Sequence, residues 1–170
     1  DYELDKNDYN KKKDGTPSNI SDLTCEGNVM VGIPKVYWKI VDNGDDTANV
    51  YFSDKRVDED YHCWSHLDAN GNEIDYCYIS TYYGYSYDSK LRSISEKRTT
   101  YNSTFTNLFN LCNNNNLDNS NIWSMLTYSD KILIDLLLIL ISRTTNSQTA
   151  FGTGTLGGER YPKEDPYIYN

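Results

Sequence analysis

Histidine is almost missing from this sequence: His62 and His66 are the only two. They lie four residues apart without a His-Glu-x-x-His run, so the ligand set of a zinc protease is not written here. Four cysteines, at 25, 63, 77 and 112, include no Cys-x-x-Cys pair, which excludes a zinc ribbon and a thioredoxin-like site. No Gly-x-Ser-x-Gly elbow occurs. The glycines at 152, 154, 157 and 158 lack the Gly-Lys-Ser or Gly-Lys-Thr ending of a phosphate loop and follow an expected helix rather than a strand. Basic runs are equally scarce. Lys11-Lys12-Lys13 stands alone among Asp5, Asp8 and Asp14. A net charge of -9 argues against a nucleic-acid partner, because phosphate binding needs a basic surface that releases counterions. The densest apolar stretch, 132–141, is broken by Asp135 and falls well short of the roughly 20 residues that span a bilayer. It reads as a buried element, and no membrane span is expected. No signal or transit peptide opens the chain, and a first residue of Asp1 reads as a fragment, a processed form or the ordered part of something longer.

What the chain does hold is tyrosine, 16 against 4 Phe. Tyrosine has a flat apolar body and a polar tip, which suits half-wet surfaces and interfaces. A compositional origin competes with this reading, since Asn, Lys, Ile and Tyr rise together in AT-rich genomes and the chain also carries the Asn113 to Asn116 run. At 170 residues, 38% of them apolar, with mean hydropathy -0.72, one domain is expected with an economical core. A neighbouring domain or further copies of the chain would share its burial.

Local pattern predicts an α+β domain. Residues 1–20 are polar and turn-rich, with Asp14-Gly15-Thr16-Pro17 as a turn, and read as an extended lead-in. Residues 21–158 read as a single α+β domain and 159–170 as an extended or disordered tail. Strands are expected over 29–34 and 36–41, then across Asn43-Gly44 into 48–53. A second hairpin is expected around Asn70-Gly71, pairing residues 61–66 with the alternating Ile74, Tyr76 and Tyr78. Residues 81–104 read as a long loop with a short strand near Lys90 to Ile94. Thr104 is expected to cap a helix with Phe105, Leu108, Phe109 and Cys112 on one face. Ser129 is expected to cap a second helix, from Lys131 to Arg143, with Leu133, Leu136, Leu137 and Leu140 as its buried stripe. On that reading Leu137→Ala costs about 2 to 5 kcal/mol.

Few residues suggest chemistry. His62, Cys63, His66 and Cys77 form the one cluster of soft ligands, but their spacing fits no finger or protease motif, and ordinary core positions are the favoured reading. Cys63 and Cys77 are equidistant from Asn70, so a hairpin centred there would face them across two strands; free buried thiols are nevertheless favoured over a disulfide. Asp68-x-Asn70-Gly71-Asn72 lacks the sixth-position Gly and twelfth-position Glu of a calcium loop. No catalytic residue, metal or cofactor is assigned. A glycan hydrolase would need two carboxylates facing across a cleft at about 5 to 9 Å, with Asp58, Glu59 and Asp60 as the candidates to watch. Tyr82, Tyr83, Tyr85 and Tyr87, in one stretch, are the candidate binding residues, because aromatic faces stack on sugar rings.

Three blocks in one order carry a family likeness. The first is Leu4-Asp5-Lys6-Asn7-Asp8 with Asp14-Gly15, followed by Val29-Met30-Val31-Gly32-Ile33-Pro34-Lys35-Val36-Tyr37. The second is Gly71-Asn72-Glu73-Ile74, Tyr83-Gly84 and Lys90-Leu91-Arg92-Ser93-Ile94-Ser95. The third is Trp123-Ser124-Met125-Leu126-Thr127, the Leu-rich helix, then Asn146-Ser147-Gln148-Thr149-Ala150-Phe151-Gly152-Thr153-Gly154. Together they span nearly the whole chain, which resembles bacteriophage and prophage tail or fibre structural proteins. The resemblance implies a C-type-lectin-like domain, on a scaffold similar to that of formylglycine-generating enzymes, with small antiparallel sheets and two helices. It also implies a location in the virion and a role in assembly and host-surface attachment. The implied partners are other virion proteins, copies of the chain itself and a host surface glycan. The Glu-Pro-Asn, Gln-Pro-Asp and Trp-Asn-Asp motifs of calcium-dependent lectins do not occur. Relatives continue past the Gly-x-Gly segment into further strands, whereas this chain turns to Tyr161-Pro162-Lys163. Either the end of the fold is missing, or another chain completes the sheet.

Overall fold

A computed structural model describes residues 2–25, 27–117 and 122–152. They form a mixed α/β structure of small antiparallel sheets and helices: β1 (Met30–Pro34), β2 (Tyr37–Asp42), β3 (Ala48–Ser53), β4 (Tyr76–Ser80), β5 (Tyr85–Tyr87), β6 (Lys90–Arg92), α1 (Phe105–Asn113), α2 (Tyr128–Ser142) and α3 (Ser147–Phe151). The coarse α+β expectation holds, with a third short helix beyond the two expected. The strands pair two by two, β1 with β4, β2 with β3 and β5 with β6. Residues 153–158 and the tail 159–170 lie outside the described residues. Within the stretch read as one domain, the chain gathers into two compact units. Among the described residues, one holds those up to Val31 together with Ile79–Met125; the other holds Gly32–Tyr78 and residues 126–152.

In the second unit, β2 and β3 run antiparallel from Tyr37↔Ser53 to Asp42↔Ala48, joined by a loop that Asn43 closes by donating to the Thr47 carbonyl at 3.0 Å. Asn43-Gly44 thus turns the chain as expected, inside a five-residue loop. Successive strand residues point to opposite faces, and β2 buries both. Trp38 packs with Cys77 and Leu133, bordered by Ile33, Val36, Phe52, Ile132, Leu136 and Leu137. Tyr37 packs the other way, with Tyr61 and Cys63.

Helix α2 starts two residues earlier than the Ser129 cap predicts. Thr127 is the cap: its Oγ1 accepts from the Asp130 amide at 3.3 Å, and the Asp130 carboxylate accepts from the Thr127 amide at 2.9 Å. This reciprocal box satisfies two amide groups that helix geometry leaves unpaired, which a serine at 129 would not do. Thr127→Ala should therefore cost about 1 kcal/mol of stability, read as a shift in the urea midpoint with unchanged slope; no shift would show that the box is not holding the helix. At the far end Arg143 is the left-handed cap, φ 56°, and donates to the Ile139 carbonyl at 2.8 Å. The expected Leu stripe is only partly buried. Leu133 is fully enclosed, Leu136 and Leu137 are half-buried, and Leu140 is 57% exposed. The cluster around Trp38 takes in Ile132, Leu133, Leu136 and Leu137 and nothing later on the helix; Lys131 and Arg143 are exposed as expected.

The expected second hairpin is much shorter than its pattern suggested. Asp68 to Asn72 do form the turn, with Leu67↔Glu73 as an isolated bridge and the Ile74 amide donating to the His66 carbonyl. Trp64–His66, however, is a turn of 3₁₀ helix, and β4 pairs with β1 instead. A 3₁₀ turn presents no ladder of amides, so the strand after it takes another partner.

In the first unit, residues 2–18 fold back on themselves through the bridges Leu4↔Lys12 and Lys11↔Pro17, and Asp14 Oδ1 accepts from the Thr16 amide at 2.9 Å. β5 and β6 form a tight hairpin within the expected long loop. Its two turn residues, Asp88 and Ser89, both have positive φ, 49° and 57°, the twist that matches flanking strands. Thr104 caps α1 as expected, accepting from the Asn107 amide at 3.2 Å. Cys112 is buried and Leu108 half-buried, but Phe105 and Phe109 stack on each other at 6.1 Å on the exposed side. Buried Arg92 donates through one nitrogen to the carbonyls of Cys25 and Gly27, and Ser93 Oγ donates to the Val29 carbonyl at 2.6 Å. This polar lacing, beside Ile20 and Ile94, does work that a larger apolar core would otherwise do.

Candidate functional site

The tyrosines singled out by sequence all fall around β5. Tyr82 is half-buried, its amide donating to Ser93 Oγ at 3.1 Å, and Tyr83 is 71% exposed. Tyr85 and Tyr87 share one face of β5, with ring centroids 6.3 Å apart and planes within 12°. Their hairpin is held by the Ser86 amide donating to Thr100 Oγ1 and the Thr100 amide to the Gly84 carbonyl.

A second pair of rings lies on β4. On β4 the side chains alternate: Cys77 enters the core beside Trp38 and Leu133, while Tyr76 and Tyr78 face out. Their centroids are 6.2 Å apart, with planes 26° from parallel. The alternation of Ile74, Tyr76 and Tyr78 was the signal for such a face. The pattern alone pairs this run with residues 61–66, whereas β4 pairs with β1.

Glu73 is the centre of a polar cluster. Its carboxylate accepts from the Tyr37 hydroxyl, from Lys35 Nζ at 3.4 Å and from Arg56 at 3.3 Å. The Tyr37 hydroxyl first, then Lys35 and the Cys63 thiol, hold Glu73 below the usual carboxylate range. Burial first, then the Glu73 charge, push the Cys63 thiol up; burial likewise raises Cys77 and Cys112. All four thiols are free and buried, and raised thiols hold little of the reactive thiolate. Cys63 and Cys77 belong to different side-chain clusters, because the hairpin that would have faced them stops at the Leu67↔Glu73 bridge.

A depressed carboxylate stabilises the fold above its unfolded value and loses that contribution as pH falls through its folded value. For Glu73 the window lies below about 4.5 and extends downward. Glu73→Gln should lower stability at neutral pH and flatten the acid limb of a urea-midpoint titration. An unchanged acid limb would show that the cluster contributes nothing to acid sensitivity.

His66 is fully buried, Nε2 within 3.1 Å of the Ile33 carbonyl, and His62 stacks on Trp64 at 4.4 Å. Among the described residues no three of His, Cys, Asp and Glu gather as ligands for a metal ion. Asp58 pairs with Lys39 at 2.8 Å, and that hydrogen bond holds it below the usual carboxylate range, the wrong direction for a general acid. Glu59 and Asp60 are exposed. An open, mostly apolar hollow of about 410 Å³ is lined by Ile33, Val36, Phe52 and Leu137 with Lys35 and Asp54, and by none of those three carboxylates. No helix among the described residues is long and apolar enough to cross a membrane.

Comparison with protein-family models, with curated proteins and with solved structures yields no match to this chain.

Proposed function

We propose that the chain is a structural component of a phage virion, in a tail, fibre or capsid appendage, where a C-type-lectin-like domain acts in assembly and host-surface attachment. Its partners are other virion proteins and copies of itself, and no residue is assigned a catalytic role. The observation that carries this reading is the amount of large apolar side chain an acidic protein leaves outside. Ile139, Leu140 and Ile141 end α2 uncovered, Phe105 is 70% exposed, and Tyr128 is 81% exposed. Scattered exposed apolar residues are ordinary, but several on one helix end mark a surface that another chain covers. The ordered sequence blocks add the phage assignment. Light scattering on the purified chain should show an oligomer, and the chain should be found in purified particles. A monodisperse monomer, whose contacts within the particle stay under roughly 800 Å² in total, would overturn the reading.

A second reading, a carbohydrate-binding receptor module, draws on the Tyr85 and Tyr87 ring pair. Tyr83→Ala and Tyr85→Ala should then abolish binding on a glycan array, and binding unaffected by both would remove that site.

A further inference from the structure

We propose that Asn70 is a site of spontaneous covalent modification, deamidating through a succinimide to aspartate and isoaspartate, while the chemically equivalent Asn43 is protected by the fold. Asn-Gly occurs twice in the chain, at Asn43-Gly44 and Asn70-Gly71. A glycine in second place leaves its amide nitrogen open to attack because it carries no side chain. Gly71 has φ 83°, where any other residue is strained, so the turn itself requires the reactive pair.

The reaction needs no enzyme and no bound group. Hydroxide removes the Gly71 amide proton, and the nitrogen forms a bond to the side-chain carbonyl carbon of Asn70. The bond from that carbon to the side-chain nitrogen breaks, and ammonia leaves with a proton from water. Water then opens the five-membered ring. Attack at the side-chain carbonyl gives aspartate; attack at the backbone carbonyl gives isoaspartate, whose main chain runs through the side chain and is one methylene longer.

Two local features decide which asparagine reacts: whether its side chain can swing onto the next nitrogen, and how tightly that nitrogen's proton is held. Asn43 fails on both. Its Nδ2 donates to Thr47 Oγ1 at 2.8 Å and its Oδ1 accepts from Asn49 Nδ2 at 3.1 Å, so both ends of the amide must come loose first. The Gly44 amide donates to the Asp42 carboxylate at 2.8 Å, and a charged acceptor holds a proton more strongly than a neutral one. Asn70 is exposed. Its backbone amide donates to Asp68 Oδ1 at 2.8 Å, and among the described residues no hydrogen bond holds its side chain. The Gly71 amide donates to a neutral acceptor, the Asp68 carbonyl, at 2.9 Å.

The product changes the turn. Asp68 Oδ1 accepts from the Asn72 amide and the Asp68 amide donates to the Asn72 carbonyl, both at 2.8 Å. An extra methylene between positions 70 and 71 puts those bonds out of register. The Leu67↔Glu73 bridge closes the same turn, so isoaspartate at 70 loosens the element that brings Glu73 to Tyr37, Lys35 and Arg56.

The probe is hydroxylamine, which opens the succinimide and cuts the chain after the asparagine. On the folded chain, cleavage into 1–70 and 71–170 should outpace cleavage into 1–43 and 44–170 by at least about tenfold; in guanidinium the two cuts should proceed at similar rates. Asn70→Gln, which keeps an amide but cannot close a five-membered ring, should abolish the first cut. Thr47→Val with Asn49→Ala, which frees the Asn43 side chain, should speed the second cut in the folded chain by at least about threefold. On storage without the reagent, anion exchange should resolve a species with one more negative charge than the parent's -9, and peptide mapping should place the change at 70. The isoaspartate form should unfold at lower urea than Asn70→Asp, which adds the charge without lengthening the chain. Equal cleavage of both pairs in the folded chain, faster cleavage at 43, or no cleavage at 70 would each overturn the assignment, and an isoaspartate form as stable as Asn70→Asp would overturn its effect on the turn.

Discussion

Leu133→Ala is expected to lower the unfolding free energy by about 3 to 5 kcal/mol, the upper part of the range for buried large-to-small changes. Leu133 is the fully enclosed residue of α2 and meets Trp38 and Cys77. The loss combines the transfer energy of the removed carbons with a cavity that a strand tryptophan and a strand cysteine cannot both move to fill. Leu137→Ala, half-buried at the edge of the same cluster, should cost less. Leu140→Ala should leave the isolated chain nearly unchanged, its side chain being already in water. Urea unfolding of the three variants reads the order directly. Equal losses at 133 and 140 would mean that α2 is covered along its whole length and that this core is misplaced.

Arg92→Ala is expected to cost about 2 to 4 kcal/mol, through loss of the charge-assisted bonds to two carbonyls and of the packed side chain. Arg92 is buried on β6, and one nitrogen serves both Cys25 and Gly27. Those carbonyls belong to the segment leading into β1, so the guanidinium ties that segment to the β5–β6 hairpin within one unit. Hydrogen exchange should speed up most at the Val29 amide, which donates to the Ser93 carbonyl next to Arg92. A loss below about 0.5 kcal/mol, the range of ordinary surface changes, would show the tie to be dispensable.

The sequence made local structure legible and long-range pairing not. The β2–β3 hairpin was visible because Asn43-Gly44 and the runs beside it agree, and the α1 cap because Thr104 stands directly before an apolar spacing. The α2 cap lies two residues before Ser129: Thr127 and Ser129 both carry a hydroxyl, and only the position of Asp130, three residues after Thr127, decides between them. Burial along α2 departs from the Leu stripe for a different reason. With Ile or Leu at 132, 133, 134, 136, 137, 138, 139, 140 and 141, the helix is apolar on every side, and periodicity cannot name the covered face. The β4 face is not legible in the sequence because residues 61–66 also look β-rich, and nothing local says that β4 prefers β1. The tyrosines of β5 stand together in the sequence, but their strand does not show there because three-residue strands leave no periodicity to detect.

The ladder between β1 and β4 also orders events in time. The β2–β3 loop spans five residues and the β5–β6 turn two, and hairpins of this kind close in about 1 to 10 μs. Lys35 donates to the carbonyl of Asp75, some 40 positions away, and closing a longer loop carries a larger entropic cost before any contact rewards it. Tyr78 reaches Gly32 only through that closure. A chain still emerging from the ribosome therefore carries both local hairpins before the β4 tyrosines have a floor to rest on, and this outward surface is among the last things that folding completes.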